Sequence, residues 1–300
     1  MAAMNRAARR RLSFAVVRWT VLLATLGWVT WEFVAHAYVS KVHPSVHALC
    51  PLGGLESLLT WLSRDGATLS KVFSATMGLF FASIGVALLF KRSFCGQVCP
   101  LGTLQELTSR LGRALLGGRR PRMPARLDRT LRWLKYPILV LVVAMAWDTG
   151  TLWMQAFDPW PAYAHLWSPS ELFPTYAVGF GVLIGSLIVG VVFDRPFCAW
   201  LCPMGALTAA VGMASPFKVR RVESECIDCG LCDRACPANL AVSTAKAVSS
   251  PECYSCGECA AVCPVPGALD SGFSKKLRIH PAVAAVFGAG AFFLAVAALG

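Results

Sequence analysis

The sequence predicts an all-α membrane bundle of about five transmembrane helices that carries one small α+β domain. The 300 residues are 56% hydrophobic and only 15% charged, whereas soluble domains carry about 25% charged residues. Five apolar stretches have the length that a bilayer requires, about 20 residues each. One polar, cysteine-rich segment at 194–281 interrupts this pattern before the last stretch.

The predicted spans follow one another along the chain. Their ranges are 13–38, 72–90, 133–154, 176–193 and 282–299. The second, fourth and fifth spans are rich in Gly, Ala and Ser, which allows neighbouring helices to approach closely. The first span is too long for a signal peptide and lacks a convincing cleavage site, so it is interpreted as an anchored helix.

Lysine and arginine alternate between loops, and this alternation indicates an orientation. The first eleven residues hold four arginines, 91–135 holds eleven basic residues and 194–280 holds nine, whereas 41–71 holds three and 154–175 none. Cytoplasmic loops are rich in Lys and Arg. We therefore expect a protein of the prokaryotic inner membrane, with the N-terminus and both basic stretches on the cytoplasmic side and the C-terminus outside. The net charge of +12 is attributed to this topology, and no nucleic-acid partner is expected.

These features divide the chain into seven segments. They are a tail and first helix at 1–40, an outer loop at 41–71, a second helix with a basic loop at 72–135, the third and fourth helices at 136–193, a short segment at 194–222, a cysteine-rich domain at 223–273 and a last helix at 282–300. The cysteine-rich domain is too small for a large hydrophobic core, so we expect it to need metal centres.

Two copies of one cysteine pattern lie in this small domain. The stretches "CIDCGLCDRACP" at 226–237 and "CYSCGECAAVCP" at 253–264 both follow C-x2-C-x2-C-x3-C-P. They are called the first and the second comb here. In bacterial ferredoxins this run holds [4Fe-4S] clusters, and the fourth cysteine of each run ligates the other cluster. Zinc would favour separated pairs of ligands, so the pattern indicates two iron–sulfur clusters.

The eight cysteines are therefore assigned to two crossed sets. Cluster one is assigned to Cys226, Cys229, Cys232 and Cys263, and cluster two to Cys253, Cys256, Cys259 and Cys236. Gly230 and Gly257 are expected to let the backbone wind tightly around the sulfurs. Irons that are all ligated by thiolates leave no open position for a substrate, so the pattern predicts single-electron transfer.

A second motif, F-C-x3-C-P-x-G-x-L, directly follows two of the predicted spans. It occurs as "FCGQVCPLGTLQ" at 94–105 and "FCAWLCPMGAL" at 197–207, and the preceding spans indicate an internal repeat. Within each copy the cysteines are four residues apart, so a helical turn would place them on one face. The four are Cys95, Cys99, Cys198 and Cys202. A third cluster or other metal, redox-active thiols and packed small side chains all fit them.

The outer loop holds a partial copy of this motif and several polar candidates. The stretch "CPLGGL" at 50–55 has one cysteine, Cys50, and is expected on the opposite side of the membrane from the complete copies. His43, His47 and Glu56 are candidates for a quinone or proton site, with solvated loop side chains as the alternative.

The order of spans, the two F-C-x3-C-P motifs and the two terminal combs resemble the NapH/NosR-type membrane polyferredoxins over about residues 45–270. The combs alone are common to ferredoxins, and their combination with the C-x3-C-P pairs carries the resemblance. It implies an electron-transfer subunit of a quinol dehydrogenase or related complex, which relays electrons between the membrane quinone pool and partner redox subunits. An assembly or maturation factor that reduces metals or thiols for a respiratory metalloenzyme is the alternative.

Overall fold

The computed structural model describes residues 2–39, 49–64, 73–117, 123–274 and 277–299, which fold mainly into helices. The helices are α1 Ala2–Tyr38, α2 Pro51–Ser63, α3 Phe73–Phe90, α4 Ser93–Gln97, α5 Pro100–Leu115, α6 Ala125–Trp133, α7 Lys135–Thr149, α8 Pro159–Ala164, α9 Pro169–Val192, α10 Pro203–Gly212, α11 Leu231–Ala235, α12 Glu258–Val262 and α13 Pro281–Leu299. The strands are β1 Lys218–Arg221, β2 Ala247–Val248 and β3 Leu269–Gly272.

Three stretches of the described chain are long and apolar enough to cross a membrane: Arg11–Tyr38, Arg126–Thr149 and Leu172–Val192. They coincide with the first, third and fourth predicted spans and support a membrane-embedded bundle. The second and fifth predicted spans also form helices, α3 with 18 residues and α13 with 19. The number of crossings therefore stays a prediction, and so does the orientation.

Glycines bring the helices of the bundle close together. A Cβ atom at Gly112 of α5 would collide with the backbone of Val191 in α9. A Cβ atom at Gly54 of α2 would likewise collide with α3, at the Thr76 carbonyl and the Phe80 side chain. On its other side, α3 packs against α13. Close backbone approach of this kind is typical of helices that associate within membranes.

The connection between α7 and α9 folds back along the bundle. A Cβ atom at Gly179 in α9 would lie 2.7 Å from the carbonyl oxygen of Asp158. Gly179 lies three residues after the kink at Tyr176 that divides α9. Asp158 and the nearby Trp160 are both buried.

The small domain has the predicted α+β composition. Its three strands form an antiparallel sheet in the order β2-β1-β3, and the helices α11 and α12 pack against each other. Its own core combines Val219, Val242, Val248 and Leu269 with cysteines of both combs. The core is small, so thiol groups make up a large part of what the domain buries.

Candidate functional site: two cysteine-lined cavities

The two combs adopt the same backbone conformation. The residue before the second cysteine of each comb is left-handed, with φ of 51° at Asp228 and 49° at Ser255. The glycine after that cysteine is left-handed too, with φ of 64° at Gly230 and 76° at Gly257. Two successive left-handed turns curl the chain so that the following short helix starts beside the cysteines. The expected tight winding at the two glycines is therefore present.

One cavity, here called the comb cavity, is lined by Cys236, Cys253, Cys256 and Cys259. These are the four cysteines assigned to cluster two, and Cys236 reaches them from the other comb. Burial, together with the nearby Cys253 and opposed by a hydrogen bond from the Leu240 backbone, raises the pKa of the Cys236 thiol to about 11. Burial also raises the pKa of the Cys259 thiol, as do Cys236, Cys256 and Cys253. Four mutually close thiols suit a group that removes their protons and ligates all of them.

The cysteines assigned to cluster one lie nearer the surface of the small domain. Cys232 is buried, Cys226 and Cys263 are half-buried, and Cys229 is exposed. Arg221 donates from Nη1 to Cys226 Sγ at 3.5 Å and to the Asp228 carboxylate at 2.8 Å. A cationic donor beside a cysteine sulfur would offset the negative charge of a thiolate-ligated cluster, so this side is also suited to hold one.

A second cavity, here called the thiol cavity, brings the two C-x3-C-P motifs together. Its wall includes all four motif cysteines and Cys50: Cys50, Cys95, Cys99, Cys198 and Cys202. Burial raises the pKa of the Cys198 thiol to about 11, with Arg195 and Arg92 opposing and Cys95 adding to the rise. Residues about 100 positions apart in sequence thus form one thiol cluster.

The motif cysteines do not lie on one continuous helix, which is a difference from the expected helical turn. Cys95 belongs to α4, which ends before Cys99, and Cys198 belongs to a π-helix at Phe197–Leu201. In both copies the second cysteine donates its N–H to the carbonyl oxygen five residues earlier, Cys99 to Phe94 and Cys202 to Phe197. The wider π-type turn ends one helix and lets the next begin in a new direction.

Three helices begin at the thiol cavity with the same sequence, Cys-Pro. The cysteines Cys50, Cys99 and Cys202 cap α2, α5 and α10, and proline follows at the first helical position. Proline is favoured there because its missing N–H would have no partner in the first turn. Burial raises the pKa of the Cys99 and Cys202 thiols, and the positive partial charge of the helix N-termini offsets part of this cost for a thiolate that ligates a metal.

The two copies of the motif exchange side-chain contacts across the cavity. Gln105 of α5 donates from Nε2 to Cys198 Sγ at 3.6 Å, and the Thr208 hydroxyl of α10 lies 3.7 Å from Cys95 Sγ. Gln105 and Thr208 each follow the second cysteine of their own copy by six residues. The arrangement is therefore approximately two-fold symmetric, as the internal repeat predicts.

A multinuclear cluster fits the residues present. Among the described residues, no three His, Cys, Asp or Glu side chains are placed to hold a single metal ion. Four thiols line the comb cavity and five line the thiol cavity, and sulfur donors are what iron–sulfur clusters use. Beside the comb cavity, the buried Ser255 hydroxyl also lacks a hydrogen-bond partner within the described residues.

The candidate quinone and proton residues are only partly described. His43 and His47 lie outside the described residues. Glu56 is buried in α2, where Oε1 accepts a hydrogen bond from the Met154 backbone N–H at 2.9 Å. The carboxylate thus holds the short 3₁₀ helix at Trp153–Ala156 against α2, a structural role that the sequence alone did not suggest.

Sequence reasoning missed that Cys50 faces the complete motifs. It was expected on the opposite side of the membrane, whereas in the structure it lines the same cavity as Cys99 and Cys202. Asp158 and Trp160, from the connection between α7 and α9, also line this cavity. The shared pattern C-P-x-G at 50, 99 and 202 was the available signal, because it marks three equivalent helix starts.

Family models match both cysteine regions. A 4Fe-4S binding domain matches residues 75–121 and again 175–221, once around each C-x3-C-P motif. A 4Fe-4S dicluster domain matches residues 218–264, which contain both combs. The iron–sulfur character that the spacing predicts is confirmed at the level of these domains.

Curated relatives confirm the resemblance inferred from the motifs. The putative electron transport protein YccM of Escherichia coli is 32% identical over 72% of this chain and 60% of its own length. The ferredoxin-type protein NapH of Haemophilus influenzae is 30% identical over 62% of this chain and 59% of its own. The regulatory protein NosR of Pseudomonas aeruginosa is 28% identical over 77% of this chain and 30% of its own.

The chain thus spans about three fifths of the length of YccM and of NapH. No solved structure matches it.

Replacing Cys236 by Ser should abolish the same cluster signal as replacing Cys253, because both line the comb cavity although they belong to different combs. Each variant should lose about half of roughly eight irons held by the combs. The measurement is EPR of the chemically reduced protein together with its iron content. Cys232→Ser is the matched control from the same comb and should abolish the other signal. If Cys236→Ser and Cys232→Ser removed the same signal, the crossed assignment would be wrong.

Proposed function

This chain is a relative of the NapH/NosR-type ferredoxin membrane proteins, and from that premise we propose that it relays single electrons between the membrane quinone pool and partner redox proteins. Two [4Fe-4S] clusters in the combs are the proposed carriers. The observation that carries the proposal is the direct contact between the comb cavity and the motif that lines the thiol cavity. A relay needs its centres close together, and this contact supports that.

The contact is made by consecutive residues of the second comb. Tyr254 lies on the wall of the comb cavity, and a Cβ atom at Gly96 would collide with the Tyr254 carbonyl oxygen. Gln97 donates from Nε2 to the Ser255 carbonyl oxygen at 2.7 Å. Gly96 and Gln97 lie between the two cysteines of the first C-x3-C-P motif. The backbone of the first motif therefore packs directly against the backbone of the second comb.

A third cluster in the thiol cavity is part of the proposal. Each match to the 4Fe-4S binding domain contains only two cysteines, Cys95 and Cys99 in one and Cys198 and Cys202 in the other. A cluster with four thiolate ligands therefore needs both copies, and all four thiols line one cavity. This supports a single shared cluster over two separate ones. Cys50 supplies a fifth thiol on the same wall.

The thiol cavity also supports a membrane partner for the relay. Its wall is mostly apolar, with Leu49, Phe94, Trp160 and Phe292 among the lining residues, as expected for a site that receives an apolar ring. We propose that a quinol releases its electrons near this cavity, and that Glu56 takes part in accepting its protons. The small domain is proposed to lie in the cytoplasm.

Adding a quinol analogue to the anaerobic, oxidised protein in lipid vesicles should reduce the clusters rapidly, because the relay takes electrons from the quinone pool. The rate is followed by freeze-quench EPR. Glu56→Gln should slow the reaction several-fold, since the amide still accepts the Met154 N–H but takes no proton. Chemical reductant supplies the control for competent clusters. A wild-type protein that dithionite reduces and quinol does not would favour the assembly factor instead.

Cys198→Ser should lower the iron content from about twelve to about eight per chain, because a third cluster would lose one of its four ligands. Iron and acid-labile sulfide are measured in anaerobically purified protein. Cys50→Ser is the matched control from the same cavity and should retain about twelve. A wild-type value near eight that neither substitution changes would speak against the third cluster.

A phosphatase reporter that is active only outside the cytoplasm should be active when fused after Gly300 and inactive when fused after Gly117. The alternating Lys and Arg content predicts these locations. The two fusions share the reporter and differ only in the loop that carries it. Activity after Gly117, or its absence after Gly300 with the fusion intact in the membrane, would contradict the proposed orientation.

A further inference from the structure

Each copy of the repeat carries one arginine that binds the other copy. Arg195 donates to the carbonyl oxygens of Cys95 and Gly96, and Arg92 donates to the carbonyl oxygen of Cys198 at 2.8 Å. Both arginines are fully buried, with 0% and 1% of their surface exposed. The pair therefore links the two C-x3-C-P motifs directly.

The glycine of each motif makes room for the arginine of the other. A Cβ atom at Gly102 would lie 3.2 Å from Nη1 of Arg195, and one at Gly205 would lie 2.7 Å from Nη2 of Arg92. Gly102 and Gly205 occupy the same position in C-P-x-G. Glycine is favoured at this position because a side chain would occupy the space that the guanidinium group takes beside the first turn of the helix.

Both guanidinium groups also face one aromatic ring of the second comb. The guanidinium carbon of Arg92 lies 4.7 Å from the centre of the Tyr254 ring, and that of Arg195 lies 5.4 Å away. Such distances are typical of cation–π interactions. Tyr254 is itself 2% exposed and stands between Cys253 and Cys256. One aromatic side chain therefore connects the arginines of both motifs to the comb cavity.

The surrounding ion pairs contain more cations than carboxylates. Among the described residues the ion pairs form two networks, each with more cations than carboxylates. Buried or mostly buried cations are Arg18 and Arg195 in one network, with Glu106 and Glu258 and the more exposed Arg110, and Arg92, Arg132 and Lys135 in the other, with Asp128 and Glu252. The Nε–H groups of Arg18, Arg92 and Arg195 are buried without a partner among the described residues. A buried surplus of positive charge is costly unless an anion offsets it.

The neighbouring thiols offer that anion only when they are deprotonated. The Glu252 carboxylate pairs with Arg92 at 2.7 Å, and it also pairs with Lys135 and Arg132. Thiolates that ligate iron would supply the missing negative charge on both sides of the arginines.

We propose that Arg92 and Arg195 form an arginine clasp that fixes Tyr254 between the two cavities and raises the reduction potential of the thiolate-ligated centres on either side. The clasp rests on the proposed function for the presence of clusters. Its physical basis is general: a fixed positive charge stabilises the more negative, reduced state of a neighbouring centre, and charge and hydrogen bonds around the sulfurs set its potential. Both arginines act as positioning residues.

The test compares Arg92→Gln and Arg195→Gln with Arg113→Gln. Arg113 lies on α5, is partly exposed and pairs with Asp194 at 2.9 Å. Midpoint potentials are determined by EPR-monitored titration with chemical mediators, together with iron and sulfide content. The first two variants should shift at least one cluster signal to more negative potential at unchanged iron content. Arg113→Gln should keep the wild-type potentials.

The potentials are measured with chemical reductant, so they stay informative if quinol fails to reduce the protein; failure of the proposed function and failure of the clasp are then distinguishable. Unchanged potentials in both glutamine variants, with iron retained, would overturn the clasp. If neither glutamine variant assembles its clusters, the variants Arg92→Lys and Arg195→Lys test the electrostatic role. They retain the charge and should keep the wild-type potentials, whereas a clear negative shift in them would overturn the electrostatic role.

Tyr254 provides an independent check of the same geometry. Tyr254→Phe keeps the ring between the two guanidinium groups and should preserve both the potentials and the line shape of the EPR spectrum. Tyr254→Leu removes the π-face and should alter the line shape, because the second comb loses its fixed position against the C-x3-C-P motifs. Identical spectra for the phenylalanine and leucine variants would contradict the positioning role of this ring.

Discussion

The two C-x3-C-P motifs interrupt helices inside the protein, and the structure there depends on how the unpaired carbonyl groups at those helix ends find hydrogen-bond donors. The last four carbonyls of any helix have no partner within it, and α4 is only five residues long. In a buried setting this deficit is costly. The deficit is met from the other copy of the repeat, because Arg195 binds the carbonyls of Cys95 and Gly96 while Arg92 binds that of Cys198. Each copy is therefore incomplete without its counterpart.

This mutual dependence explains why thiols gather where the helices restart. In each copy a π-type turn ends one helix between the two cysteines, and proline begins the next helix. The second cysteine therefore occupies the N-cap position of that helix. Two such caps face each other because the arginines hold the turns together. A third cap, Cys50, joins them from α2, whose far end is fixed where Arg64 donates to the Asp148 carbonyl at 2.8 Å. The cavity is thus a consequence of helix termination.

Local spacing predicted the combs, whereas long-range packing decided the rest of the site. The C-x2-C-x2-C-x3-C-P run determines its own conformation, and the left-handed residues Ser255 and Gly257 follow from it. The gathering of Cys95 with Cys198 was open in the sequence, because it depends on a contact between repeats. Cys50 was expected on the other side of the membrane because Lys and Arg counts predict on which side a loop lies. They do not predict whether the segment folds back into the bundle.

The small domain is held to the bundle by hydrogen bonds and ion pairs. Lys91 donates to the Val248 carbonyl at 2.8 Å, Arg92 pairs with Glu252, and Arg18 pairs with Glu258. The acceptors of these contacts lie next to or within the second comb, so the domain would have to break all of them to move away from the bundle. The first comb makes none of these three contacts, and its Cys229 is exposed, so the first comb is the accessible side of the small domain.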